Sequence, residues 1–264
     1  MVELVYTLVL EASAERLESS SLSGGTKFLS DNFKIYYEHM NILLMGCSWA
    51  VPNYFGLPGD PPETHSEFLL KELGHEIHNC GLNAGSNLLS LERAKKYLSG
   101  EEIDHPAMIG RIKKHNPDPI DLVIWFHTEP GRDVGVINPT GKTINQQLNE
   151  ICNVTYKSYA DFFKNLNCKI AVIGGCSDIH PLIYQYIQPD FCLPSWQTRL
   201  IGKGSMGFGM SAKTTPTIED VNFLDNALTV LDRMRASAYF PDGGHPGKKA
   251  HQELIDQLAS VFKI

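Results

Sequence analysis

The 264-residue chain has no run approaching the roughly 20 consecutive apolar residues that a bilayer-spanning helix needs. It also lacks an excess of positive charge. With 23 Lys and Arg against 30 Asp and Glu, the formal net charge is −7 and the pI near 5.8. That is the wrong sign for a protein that grips a nucleic-acid backbone. The six cysteines (Cys47, Cys80, Cys152, Cys168, Cys176 and Cys192) form no C-x-x-C pair and no zinc-ligand spacing. Most lie in or beside apolar segments, which predicts buried, reduced thiols and no metal site. The expected partners are therefore neither nucleic acid nor a membrane span, and the oligomeric state is left open.

No leader for export is expected either. Leu4 to Leu10 is apolar and Ala12-Ser13-Ala14 is small, yet no basic segment precedes them, and Glu3 and Glu11 bracket the run. A cytoplasmic location is expected. Residues 1–39 stand apart as an N-terminal extension: Glu15 to Lys27 is rich in Ser, Glu and Gly without a sustained apolar period. The segment from Met1 to Lys27 resembles the conceptual translation of a transfer-RNA gene, so the expected biological start is Met40. The domain proper then runs over 40–264.

From Met40 onward, strand patterns alternate with helix patterns. Asn41 to Gly46 is a continuous apolar run of the kind expected for a parallel strand covered on both faces. Pro62 to Leu73 reads as a helix with Phe68, Leu69 and Leu73 on one stripe, stopped by Gly74 before a short strand at Glu76 to Asn79. A helix from Ser86 to Leu98 follows, with Leu88, Leu89 and Leu91 as its apolar contacts. Asp121 to Phe126 is the clearest strand. Thr143 to Leu166 reads as a long helix, Lys169 to Ile173 as a strand, and Ile218 to Met234 and Pro246 to Phe262 as the remaining helices. No internal repeat is present. Strands separated by helices imply right-handed parallel crossovers, hence an α/β fold, flavodoxin-like, in three α/β/α layers around a mostly parallel, doubly wound sheet of about five strands.

In such a sheet ligands gather at the carboxyl ends of the strands. Ser48 lies just past the first strand, Asn79 to Gly85 past the second, and His127 to Arg132 past the third. The loop Asp242-Gly243-Gly244-His245-Pro246 opens the last helix and can reach the same edge. A serine, an aspartate and a histidine in that order, the last two on one loop, form the inventory of a Ser-His-Asp hydrolase. Asp242-Gly243 also reads as an ordinary turn, with His245 as a helix-entry residue. Cys47, beside the serine, reads as a buried strand-end thiol and not as a nucleophile.

These blocks resemble those of the SGNH, or GDSL-like, hydrolase superfamily, from Met40 to the end of the chain. Gly46-Cys47-Ser48 stands where that family has Gly-Asp-Ser. Asn79-Cys80-Gly81-Leu82-Asn83-Ala84-Gly85 is similar to its second block, whose glycine offers a backbone N–H to the oxyanion and falls here at Ala84 or Gly85. Asp242-Gly243-Gly244-His245 matches the fifth, with the carboxylate orienting the imidazole toward the serine. The third block departs. Where the family has Gly-x-Asn-Asp, this chain has His127-Thr128-Glu129-Pro130, so a carboxylate replaces the amide that donates to the oxyanion.

The resemblance implies an ester hydrolase that needs no metal or organic cofactor and acts on a small ester, such as a short-chain acyl ester or an O-acetylated sugar. His127, Thr128 or Asn83 is expected to donate in place of Glu129, and Arg132 to anchor an anionic group. A different outcome is a degenerate member that binds a glycan or a protein without turnover.

Three other stretches imitate known sites. Gly135 to Thr143 misses the phosphate-loop spacing, and Gly202 to Gly207 fits a dinucleotide fingerprint without the following helix. Gly175 to His180 holds a second Ser, Asp and His, read as a helix start with Ser177 or Asp178 as cap. Ser195 to Thr215, with Trp196, reads as a glycine-rich loop shaping specificity.

Overall fold

The computed structural model describes residues 38–52, 62–106, 110–114, 118–175, 178–201, 239–240 and 245–264. The expectations for residues 1–37, Ser177, Gly202 to Gly207, the helix at Ile218 to Met234, and Asp242 lie outside the described residues.

The continuous apolar runs become the sheet. β1 (Asn41–Gly46) is buried at every position, as a strand covered on both faces must be. β2 (Glu76–Asn79) follows, then a two-stranded antiparallel ribbon, β3 (Ile103–Asp104) with β4 (Arg111–Ile112). Two-residue strands are too short to leave a periodic signal, and the ribbon was not anticipated. β5 (Leu122–His127), β6 (Lys169–Gly174) and β7 (Phe191–Leu193) complete the main sheet, in the order β2-β1-β5-β6-β7 with every pair parallel. From β1 the chain goes one way to β2 and the other way to β5, so the strand order reverses at β1. Such a reversal opens a crevice at the carboxyl ends. Register places Leu44 opposite Asn79 and Gly46 opposite Phe126, which brings the three candidate loops side by side.

The helices supply the outer layers. α1 (Ser66–Glu72) is shorter than the pattern predicts: Pro62–Thr64 forms a 3-10 turn, and His65 caps the helix by accepting the Glu67 N–H at 3.1 Å. Its fully buried apolar residue is Leu70, while Phe68, Leu69 and Leu73 are only partly covered. The reason is polar: Ser66 and Glu67 share the inward face because His251 and Asn79 bond to them. α2 (Asn87–Leu98) is capped by Ser86, which accepts the Leu89 N–H. Leu88 and Leu91 are buried, whereas Leu89 is 49% exposed, because it sits about 100° around the helix from Leu88.

α3 (Ile144–Leu166) opens with a capping box between Thr143 and Gln146 and ends at Asn167 with φ 50°. α4 (Ile183–Tyr186), α5 (Trp196–Ile201) and α6 (Lys248–Phe262) follow. The helix after β6 begins at Ile183, not at Asp178. Trp196, expected on a loop, is 1% exposed.

Alternation along the strands splits the core in two. Ile42, Leu44, Ile124, Phe126 and Ile173 pack with Leu70, Trp196, Leu254 and Leu258 of α1, α5 and α6. Leu43, Met45, Val123, Trp125 and Val172 pack with Leu91, Tyr156, Tyr159 and Ile183 of α2, α3 and α4. The result is the three-layer α/β/α arrangement. Among the described residues, no helix is long and apolar enough to cross a membrane.

Candidate active site

At the end of β1 the backbone turns sharply at Gly46, whose φ is 129°; a Cβ there would sit 2.0 Å from the Phe126 carbonyl oxygen. Ser48 then opens a 3-10 turn, Ser48–Ala50, and is half-buried. Every neighbour of this turn is tied down. The Gly46 N–H donates to Ser90 Oγ at 2.7 Å, the Cys47 N–H to the Phe126 carbonyl at 3.3 Å, and the His65 ring to the Trp49 carbonyl at 3.1 Å. Trp49 packs on Trp196 and Phe240 at centroid distances of 5.7 and 5.9 Å. The Asn79 amide donates to the Ala50 carbonyl at 2.8 Å, while its oxygen accepts the Gly81 N–H at 2.8 Å. One side chain thus joins the Ser48 turn to the loop after β2.

His245 enters from the far end of the chain. Pro246 is buried and the Gly247 N–H donates to the Tyr239 carbonyl at 2.8 Å, fixing the entry into α6. The His245 Nε2 lies 3.2 Å from Ser48 Oγ, across 197 positions of sequence. That is hydrogen-bond range for a hydroxyl and an imidazole. Cys47 beside it is buried, and burial pushes its thiol up, ahead of the opposing effect of the Trp49 N–H. A protonated, enclosed thiol is a poor nucleophile.

On the loop after β2, Ala84 adopts φ 52°, the left-handed region where glycine is the usual occupant. The Gly85 N–H is engaged by the Leu82 carbonyl at 3.0 Å. Asn83 and Ala84 are exposed at this rim.

The loop after β5 differs most from expectation. The hydroxyl of Thr128 donates its one proton to Glu129 Oε2 at 2.9 Å. His127 is 1% exposed, with its Nε2 against the Tyr156 hydroxyl at 3.2 Å, and its ring packs on Trp125 at 5.0 Å on the α3 side of the sheet. Burial lowers its pKa to about 3, so the ring is neutral. β5 alternation sends the His127 ring into the α3 layer, and Glu129 takes the Thr128 proton. Glu129 caps a 3-10 turn, Pro130–Gly135, and its Oε2 also pairs with Arg132 Nε at 3.0 Å.

Two residues that left no sequence signal hold this loop. Asn87 clasps the Thr128 backbone from both sides, donating to its carbonyl and accepting from its N–H, each at 3.0 Å. Asp133 is fully buried and accepts from the Leu88 N–H at 2.9 Å and from Thr155 Oγ1 at 3.1 Å. A carboxylate at the start of α2 also suits the helix dipole. Asp133→Ala leaves these buried donors unmatched and is expected to lower stability by about 3–5 kcal/mol. A urea unfolding midpoint unchanged from the parent would contradict this role.

The phosphate-loop imitation is closed from within. The Thr140 and Gly141 N–H groups both donate to Glu150 Oε2, at 2.7 and 3.3 Å, so a carboxylate already occupies the place an anion would take. No group of three or more His, Cys, Asp or Glu residues suited to a metal ion is found among the described residues.

No family model matches the chain, and no curated protein matches it. Among solved structures it is similar to a carbohydrate esterase whose active site is described as displaying divergent catalytic and non-catalytic binding functions, at 10% identity over 86% of this chain and 69% of that one, with a TM-score of 0.41. It is also similar to an SGNH-hydrolase family esterase at 17% identity over 76% and 98% of the two chains, TM-score 0.38. A third is the native aryl esterase of M. smegmatis, at 17% identity over 84% and 99%, TM-score 0.32. The likeness is one of fold.

Proposed function

We propose that the protein is a serine ester hydrolase acting on a small carboxylic ester, with a short-chain acyl ester or an O-acetylated carbohydrate as the substrate class. The observation that carries this reading is the 3.2 Å approach of His245 Nε2 to Ser48 Oγ at the reversal point of the sheet. His245 takes the hydroxyl proton as Ser48 Oγ bonds to the ester carbon, and Asp242 orients the imidazole. The backbone N–H groups of Ser48 and Ala84 hold the oxyanion. Collapse breaks the ester C–O bond, and the alcohol leaves with the proton from His245. Water, deprotonated by His245, then splits the acyl-enzyme and frees the serine. No step calls for a metal or organic cofactor.

A second reading is a binder of glycan or protein without turnover, favoured by Glu129 where an amide donor is expected and by Cys47 beside the serine. A fluorophosphonate probe separates the two. The full chain is expected to be labelled and Ser48→Ala not, as read by intact mass. Absence of labelling, together with no release of nitrophenol from p-nitrophenyl acetate, would leave the binder.

A further inference from the structure

The position of Glu129 poses a chemical problem, since a carboxylate offers no proton to a developing oxyanion and repels its charge. Its surroundings supply an answer that rests on the ester-hydrolase reading. A single oxygen of Glu129, Oε2, accepts from Thr128 Oγ1 at 2.9 Å and forms an ion pair with Arg132 Nε at 3.0 Å. Its other oxygen faces Gly175, lying 4.0 Å from where a Cβ of that residue would stand. One oxygen of the carboxylate thus meets both the Thr128 hydroxyl and the guanidinium.

The loop carrying both residues is itself fixed at each end, by Asn87 on Thr128 and by the Leu88 N–H on Asp133. It follows β5, the strand paired with the nucleophile's strand β1. The Cys47 N–H donates to the Phe126 carbonyl, and the charges of both Glu129 and Arg132 act on the Cys47 thiol, next to Ser48. With Nε spent on Glu129, the two terminal amino groups of Arg132 remain, on a side chain 43% exposed. Guanidinium presents five N–H donors in a rigid fork, so an ion pair at Nε limits where the others can reach.

We infer that Arg132 is the third oxyanion donor of the ester-hydrolase site, and that Glu129, ion-paired with its Nε, is the residue that positions it. A charged donor on a short leash replaces a neutral amide. Glu129 balances the arginine's charge in the resting site, and the oxyanion shares it as the Ser48–carbon bond forms. A preorganised cation stabilises developing negative charge.

The test uses the full chain and p-nitrophenyl acetate, a neutral ester. Arg132→Ala is expected to lower kcat by about 100- to 1000-fold while KM stays within about threefold, the pattern of a contact made in the transition state. Added guanidinium ion is expected to restore part of that kcat in Arg132→Ala and none in Ser48→Ala. Glu129→Gln, which keeps the shape but loosens the ion pair, is expected to fall by about 10-fold in kcat with KM again unmoved. An unchanged thermal midpoint in both variants serves as the folding control.

If Arg132→Ala retains full kcat, or if its effect is confined to KM for esters bearing a carboxylate, Arg132 is not the oxyanion donor. If the parent chain itself is not labelled by a fluorophosphonate, it is the ester-hydrolase reading that fails. Labelled parent protein with a full-rate Arg132→Ala sinks only the arginine assignment.

Discussion

Ser48→Ala and His245→Ala are each expected to lower kcat for p-nitrophenyl acetate by at least about 10,000-fold, and the double variant to fall little further. Without the Oγ no acyl-enzyme forms. Without the imidazole the hydroxyl has no base at 3.2 Å to take its proton. Each loss disables the same step, so the effects do not add. KM is expected to change little, because neither side chain contributes uniform binding of a small ester. Both residues lie at the surface end of the sheet, with Ser48 half-buried and His245 exposed, so stability is expected to hold. A His245→Ala variant within tenfold of the parent would remove the base from the mechanism. A double variant far slower than either single one would show that the two act in separate steps.

Acid is expected to unfold the protein well before its carboxylates are all protonated. His65, His127 and His251 are buried. Burial is the largest cause of the lowered pKa in each, bringing His65 to about 4, His127 to about 3, and His251 well below its ordinary value. Geometry agrees with neutral rings. In His65, Nε2 serves the Trp49 carbonyl while Nδ1 accepts the Glu67 N–H. His251 Nδ1 lies 2.7 Å from Ser66 Oγ, and its ring lies 4.2 Å from that of His65, so a proton on either opposes one on the other.

The unfolded chain takes up protons at these sites near pH 6.5, and the folded chain refuses them. Stability is therefore complete above about pH 6.5 and falls as pH drops, by about 1.4 kcal/mol per pH unit for each ring, or about 4 for all three. The loss slows near pH 4, where folded His65 begins to charge, and His127 continues it to about 3. A domain of ordinary stability, about 10 kcal/mol, is exhausted near pH 4. Urea midpoints measured at pH 7.5, 6, 5 and 4.5 are expected to slide steadily downward. A midpoint constant across that series would show that these rings titrate normally in the native state.

Much of the fold is legible because buried parallel strands must be apolar on both faces. β1 is readable from Asn41 to Gly46 for that reason, and so is β5 within one residue. β7 escaped because three residues, Phe191-Cys192-Leu193, carry no period, and Leu89 misled because apolar character alone does not say which way a helix faces. In the site, Ser48 and His245 stood out because turn and helix-entry residues surround them. Asn87 and Asp133 did not. Their task is to satisfy backbone groups of other loops, and nothing local records which loops those will be.

The amino-acid order by itself determined the alternation of strand and helix, the sheet's class, and the segments that must meet at its carboxyl edge, since periodicity and chain connectivity are local properties. Tertiary packing alone decided which donors remain available there. His127 is sealed in the α3 layer, Thr128 spends its proton on Glu129, and Arg132 is drawn to that same carboxylate. The physical reason is that a hydrogen bond belongs to whichever partner the fold brings within about 3 Å, and that distance is written nowhere along the chain.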